Sequence, residues 1–171
     1  MDAPRLETER LVGRPPVETD LPDLLAMIQH PDFAATMSAD GAPWPDERIQ
    51  GFLDRSRAYW THYGWGSYVF RNSAGALVGY CGLRLTLLEG EPVVELLYGV
   101  NPAFHRQGYA TEMAKALIAD GESRLGVREI CAWTLHRNAG SQKVMQACGF
   151  TYDRDITYAD LPHVLYRRRR A

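Results

Sequence analysis

The stretch that decides the fold runs Glu95-Leu96-Leu97-Tyr98-Gly99-Val100-Asn101-Pro102-Ala103-Phe104-His105-Arg106-Gln107-Gly108-Tyr109-Ala110-Thr111. An apolar run passes through Asn101-Pro102 into a turn of small residues. A long amphipathic pattern follows, with Met113, Ala114, Leu117 and Ile118 on one stripe. Strand, glycine turn and helix in that order make an anion cradle. The first four N–H groups of a helix lack an intrahelical partner, and the aligned peptide dipoles put partial positive charge there. Gly108 and Ala110 then let a diphosphate reach bare backbone. The helix is expected over residues 107–125, with Gly126 as its left-handed stop.

Working outward, residues 67–71, 76–88 and 93–100 read as an antiparallel meander, interrupted by Asn72-Ser73-Ala74-Gly75 and by Glu89-Gly90-Glu91-Pro92. Gly99 reads as a bulge that splays the strands. Residues 127–135 form a buried strand, 139–147 a shorter helix, and 151–157 and 163–168 two closing strands. Near the amino terminus, residues 11–17 suggest a short edge strand that Pro15 and Pro16 terminate. Leu21, Leu24, Leu25 and Ile28 then share a helical face, with Asp20 or Thr19 placed to cap it and His30-Pro31 to end it. After a loop marked by Asp40, Gly41, Pro43 and Pro45, the residues Ile49, Phe52, Leu53 and Ser56 restart a helical period toward Trp60. These two helices are expected to form a flap.

The 171 residues, 46% apolar and 11% aromatic, suit a single domain over residues 1–171. A net charge of −2 gives no broad basic face, so nucleic acid is not an expected direct partner. Cys81, Cys131 and Cys148 are odd in number and lack CxxC spacing, which argues against a disulfide framework and a zinc site and for a reducing, cytoplasmic setting. Residues 1–10 alternate charges, and no window of roughly 18 apolar residues occurs, so neither a secretory leader nor a membrane span is expected. There is no GxxxxGK[ST], no GxGxxG joining strand to helix, no GxSxG and no HExxH, so nucleotide hydrolysis, dinucleotide redox, serine hydrolysis and zinc proteolysis have no motif to rest on. The run Arg167-Arg168-Arg169-Arg170 reads as a solvated tail in preference to a phosphate site.

Taken together, these blocks resemble the GNAT superfamily of acyl-CoA-dependent N-acyltransferases, and within it the ribosomal-protein N-terminal (alanine) acetyltransferase branch. The likeness is carried by Leu6-Glu7-Thr8-Glu9-Arg10-Leu11 leading to Arg14-Pro15, by residues 95–100, by Gly108-Tyr109-Ala110-Thr111-Glu112, by Asn138, Ser141 and Gly149-Phe150, and by His163-Val164-Leu165-Tyr166. The resemblance implies an α/β fold with a mixed, mostly antiparallel sheet of about seven strands and about four helices. It also implies acetyl-CoA as cosubstrate, no metal, and transfer to an amine. In the superfamily's Gln/Arg-x-x-Gly-x-Gly/Ala loop, His105 takes the first slot, Gly108 the fourth and Ala110 the sixth. His105 departs from the pattern, and a backbone cradle tolerates this.

By that resemblance His105, Arg106, Gln107, Gly108, Tyr109, Ala110 and Thr111 hold the diphosphate. Tyr98 and Val100 pair their backbone with the pantetheine arm, Asn138 contacts that arm, and Lys143 reaches a phosphate or is simply solvated. Glu95 is the implied general base, competing with the plain reading of an exposed strand-end carboxylate. Ser141 is either a donor near the sulfur or a helix cap.

The chemistry is undemanding for an α-amine. Neutralising one of pKa near 8 at pH 7 costs about 1.4 kcal/mol, against about 4.6 for a lysine near 10.4. A departing thiol of pKa about 8.5 needs little acid help. The acceptor, a protein N-terminus or a small amine, stays open, with selectivity expected between Ser38 and Trp65. Trp44, Trp60, Trp65 and Tyr68 have two readings, core or pocket wall. His62, His105 and His136 show no partner that makes them catalytic. A CoA-binding sensor without turnover and a regulatory protein acting through the flap are the rival classes, and a homodimer paired through strand edges near the carboxyl terminus is compatible with the pattern.

Overall fold

The computed structural model describes residues 4–171. Eight strands form one sheet: β1 (Leu6–Glu7), β2 (Val12–Arg14), β3 (Ser67–Arg71), β4 (Leu77–Leu88), β5 (Glu91–Val100), β6 (Glu129–Leu135), β7 (Thr151–Tyr158) and β8 (Leu161–Arg169). Their order is β1-β2-β3-β4-β5-β6-β8-β7, and every junction is antiparallel except β5–β6. The mixed, mostly antiparallel α/β class matches the expectation. The eighth strand is β1, which pairs with β2 through two residues and is too short to show a period-2 pattern. β2 stops at Arg14 because Pro15 and Pro16 have no N–H to give the ladder. Two-residue turns with positive φ close the long hairpins, Glu89-Gly90 (51° and 84°) and Ala159-Asp160 (49° and 60°), the handedness that matches strand twist.

Five α-helices flank the sheet: α1 (Leu21–Ile28), α2 (Pro31–Met37), α3 (Asp46–Tyr63), α4 (Tyr109–Arg124) and α5 (Ala139–Ala147). The expected four become five because His30-Pro31 starts a helix as well as following one. His30 is extended, its Nδ1 accepts the Asp32 N–H at 3.2 Å, and Pro31 takes the first helical position, where a missing N–H costs nothing. Gly126, at φ 67°, follows the last turn of α4 as expected.

Asp20 does not cap α1 through its side chain. It is fully buried and accepts from Arg14 (2.7 and 2.8 Å), Arg71 (2.8 Å) and the Val17 N–H (2.8 Å), tying β2 and β3 to the helical flap. Burial pushes this carboxyl up, but the two guanidinium groups and the amide together outweigh it and hold its pKa below the usual value. A folded pKa below the unfolded one contributes stability that is present above pH ~3.9 and is lost as pH falls toward the folded value. Asp20→Asn is therefore expected to cost about 2 kcal/mol at pH 7, less than a fully buried pair because both arginines keep some water. Its melting temperature should drop by roughly 4–8 °C, and the gap from wild type should narrow as the medium is acidified below about pH 4.

Alternation along β5 sorts the core. Val94, Leu96, Tyr98 and Val100 pack in the cluster that contains Met113, Ala114, Leu117 and Ile118 of α4, whereas Leu97 belongs to the opposite cluster under α1, α2 and α3, with Leu24, Phe33 and Leu53. Gly99 makes no bulge, because the β4–β5 register is unbroken from Leu88↔Glu91 to Gly79↔Val100. A Cβ at Gly99 would lie 2.7 Å from the Phe33 ring and 2.8 Å from Tyr80, so α2 demands a glycine there. Trp60, Trp65 and Tyr68 pack with the α4 cluster, and the Trp60 Nε1–H donates to the Ser67 carbonyl at 2.7 Å. Trp44 joins the flap cluster beneath the Arg48 guanidinium.

The arginine run is not a solvated tail. Arg167 lies on β8 and pairs with Asp153 and Glu129, Arg168 with Glu122, and Arg169 with Glu129. On the outermost strand β7, Asp153, Arg154 and Asp155 are exposed, the kind of charge that deters edge pairing.

Candidate functional site

β5 and β6 meet at a single register pair, Glu95↔Cys131, and separate beyond it. The bond from the Asn101 N–H to the Val78 carbonyl, 2.8 Å, sets the phase of the β4–β5 ladder. Odd-numbered β5 residues turn their main chain toward β4, and Leu96, Tyr98 and Val100 turn theirs toward the slot between β5 and β6. A slot of this kind has the geometry to take an extended chain as an extra strand. The Val100 carbonyl has a neighbour already: His105 Nε2 stands 3.0 Å away and donates to it in the tautomer protonated at that nitrogen. The His105 side chain thus ties the loop to the end of β5, and the Tyr98 main chain faces the slot.

At the mouth of the slot the loop enters α4. Arg106 (φ 60°) and Gly108 (φ 81°) are both left-handed and curl the chain tightly. The amides of residues 106–111 donate to no group among the described residues, and the first intrahelical bond of α4 comes from the Glu112 N–H to the Gly108 carbonyl, 3.0 Å. Gly108 is exposed, and a Cβ on it would meet only Arg10, at 3.6 Å. Arg10 lies 4.0 Å over the Tyr109 ring and pairs with Glu112 at 2.7 Å. Glu112 also accepts from Thr8 Oγ1 (2.6 Å) and the Arg10 N–H (2.9 Å). Burial raises its pKa, but these three donors outweigh it. Glu112 is thereby held ionised with its charge compensated by Arg10, and the free amides keep their positive end for a ligand. These features fit a diphosphate: bare donors, a helix N-terminus, a glycine that leaves room and an adjacent guanidinium.

On the α4 face, the Tyr98 hydroxyl lies 2.7 Å from Ser141 Oγ and 3.0 Å from the Ser141 carbonyl. Burial pushes the Tyr98 phenol up and the Ser141 contact pulls it back only partly, so it is a protonated donor at neutral pH. The capping of α5 falls to Asn138, whose Oδ1 accepts the Ser141 N–H at 3.1 Å. The Ser141 hydroxyl is therefore free of capping duty. Lys143 is exposed on α5 with no ion-pair partner among the described residues.

Glu95 lies on the other face. It is 6% exposed, so it is no solvent-facing strand end, and its Oε2 accepts from Arg84 Nε at 2.6 Å. Burial pushes its pKa above the usual carboxylate value, and Arg84 pulls it partway back. Glu95 and Ser141 are therefore not in contact; they flank the slot from its two sides. Arg84 is a residue the motif reading passed over, although its polar place within Leu83-Arg84-Leu85 on a buried strand was the available signal. Trp133 and Tyr158, with ring centroids 5.2 Å apart, lie in the cluster on the same side as Cys131. Arg137 donates to the Ser38 carbonyl at 2.9 Å and joins the loop after β6 to the flap. Among the described residues no group of three metal-ligating side chains occurs, and no helix is long and apolar enough to cross a membrane.

Comparison with known proteins places these features in a wider setting. A family model described as "Acetyltransferase (GNAT) domain" matches residues 10–151. The chain is 24% identical to the "Uncharacterized N-acetyltransferase YoaA" of Bacillus subtilis over 149 residues, 86% of this chain and 82% of that protein. Its fold superimposes on an acetyltransferase from Agrobacterium tumefaciens with TM-score 0.80 and 25% identity, covering 99% of this chain and 96% of the other. It also superimposes on RimL, a ribosomal L7/L12 alpha-N-protein acetyltransferase in complex with coenzyme A, with TM-score 0.79 and 14% identity, covering 97% and 98%.

Proposed function

This chain belongs to the acetyltransferase (GNAT) family and is an acetyl-CoA-dependent N-acyltransferase; from that premise we propose that its acceptor is a primary amine that attacks directly in a ternary complex. The observation that carries the reading is the slot between β5 and β6, with free helix-terminal amides at its mouth and a buried carboxylate on the far side. When bound, acetyl-CoA supplies a thioester-activated acetyl group and a thiol leaving group of pKa about 8.5.

The chain's own residues do the rest. The amides of residues 106–111 and the Arg10 guanidinium hold phosphate, and the main chain of Tyr98 offers strand-like pairing. Ionised Glu95 takes a proton from the acceptor ammonium or amine, so the amine nitrogen is free to bond to the acetyl carbon as the C–S bond breaks. Tyr98 has one hydroxyl proton. When it is given to Ser141 Oγ, the Ser141 proton is free to go to the departing sulfur. Cys81, Cys131 and Cys148 are buried and unpaired, which supports a reducing, cytoplasmic setting.

The acceptor belongs to one of two groups, protein N-terminal α-amines or small-molecule amines. The α-amine is favoured by its lower neutralisation cost. The deciding experiment is mass spectrometry of peptide N-termini, lysine and small polyamines after incubation with acetyl-CoA, alongside thiol release. The expected product is the starting amine plus one acetyl group with one thiol freed per acetyl. Cofactor binding without product from any amine overturns the reading.

A further inference from the structure

The Arg84–Glu95 pair faces away from the α4 cradle. Arg84 and Glu95 are register partners on β4 and β5, and only one guanidinium nitrogen, Nε, reaches the carboxylate. Neither Nη of Arg84 makes a protein hydrogen bond among the described residues, which leaves four of its five N–H donors unspent. The exposures of the pair are lopsided: the Arg84 side chain is 44% exposed and that of Glu95 8%. On this face the guanidinium is the solvent-facing member of the pair.

Arg84 is also framed. Tyr80 and Tyr158 both lie near enough to act on its charge. Tyr80 packs against Phe33 and Phe52 under the flap, and Tyr158 against Trp133 and His163 at the end of the β7–β8 hairpin. Arg84 therefore stands beside the proposed base on the same face of the sheet, with a planar donor fork of which one N–H in five is used. A guanidinium of that kind receives a carboxylate through two parallel hydrogen bonds.

We propose that Arg84 selects the acceptor: its free Nη groups receive an anionic group, and the carboxylate they fit best is carried by the acceptor within a few bonds of its amine, which sets that amine against Glu95. The substrate class is an amine bearing a nearby carboxylate, either a free amino acid or a peptide whose first residue is acidic. The same charge turns polyamines away. This inference rests on the acetyltransferase reading above and adds the identity of the acceptor to it.

Matched pairs of acceptors test it: an aspartyl peptide against its asparaginyl counterpart, both as C-terminal amides, and a free amino acid against its own amide. The first pair asks for a side-chain carboxylate and the second for an α-carboxylate. The wild-type enzyme is expected to favour the anionic member of at least one pair by tenfold or more in kcat/KM, as a charge-assisted bidentate contact allows. In Arg84→Gln that preference should shrink below about twofold: both members lose what the Arg84 contact gives Glu95, and the anionic member loses at least about fivefold more. Arg84→Lys keeps the charge without the fork and should retain a reduced preference, which separates anion recognition from general damage. Melting temperatures of all three proteins verify folding.

Equal turnover of both members by the wild type overturns the inference and leaves the acetyltransferase reading standing, as does an equal fall for both in Arg84→Gln. Absence of product from every amine overturns both.

Discussion

Glu95→Gln is expected to lower kcat by roughly a hundredfold to ten-thousandfold with acetyl-CoA affinity unchanged, the range that removal of a positioned general base produces. Glutamine keeps the shape and can still accept from Arg84 Nε, so the protein should fold normally; Arg84 is nearly half in water, and the change in stability should stay small. The pH profile is the sharper readout. A base works only when ionised, so wild-type kcat/KM should fall as pH drops through the Glu95 pKa, which burial has raised above the usual carboxylate value. In the variant that limb should vanish, leaving only the limb of the acceptor amine near its own pKa, about 8 for an α-amine. Stopped-flow or thiol-release assays between pH 5 and 9, in this range because the relevant groups titrate there, measure both. An unaltered profile with unaltered kcat would remove Glu95 from the chemistry and pass the proton to a water.

The second large effect is at the cradle. Gly108→Trp should weaken acetyl-CoA binding by at least several hundredfold, measured by calorimetry, because a bulky side chain stands where phosphate must approach bare amides. The residue is exposed, so no core is disturbed, and the cost to the fold is the left-handed φ of 81° imposed on an L side chain, about 1–2 kcal/mol. That corresponds to a melting temperature only about 2–8 °C lower. Full affinity in a variant that melts near wild type would show that the diphosphate is held elsewhere.

The two expected losses have different causes, and so did the legibility of the residues behind them. The glycine turn and the helix it opens were readable because their parts are contiguous: Gly108 and Ala110 begin a strongly periodic helix, and the proposed backbone site needs no distant partner. The cap of α5 is equally local, yet the sequence reading offered Ser141 for it, and the structure gives it to Asn138 three residues earlier. His105 was recognised as a departure from pattern, but its bond to the Val100 carbonyl depends on how the loop folds back. The flap was half read. Pro31 carries both meanings, stop and start, and only the extended conformation of His30 shows that both apply. Gly99 was noticed for the wrong reason: the sequence marks a glycine as special but cannot tell a bulge from close packing against Phe33. Asp20 and the Arg167–Arg169 run looked like a cap and a tail, because ion pairs between residues about 40 to 50 positions apart leave no local trace.

By itself the amino-acid sequence determined the α/β class, the order of the strands and helices apart from β1 and α2, the glycine turn that opens α4 and the absence of other phosphate or nucleophile motifs, since each of these depends on periodicity, turn chemistry or spacing within one segment. Only the tertiary structure decided that β5 and β6 part beyond Glu95 and Cys131, that Glu95 is buried beside Arg84, and that Tyr98 meets Ser141. Those are contacts between segments 11 to 43 residues apart, set by how the sheet twists and which face each side chain takes, and face and register emerge only when the whole core packs.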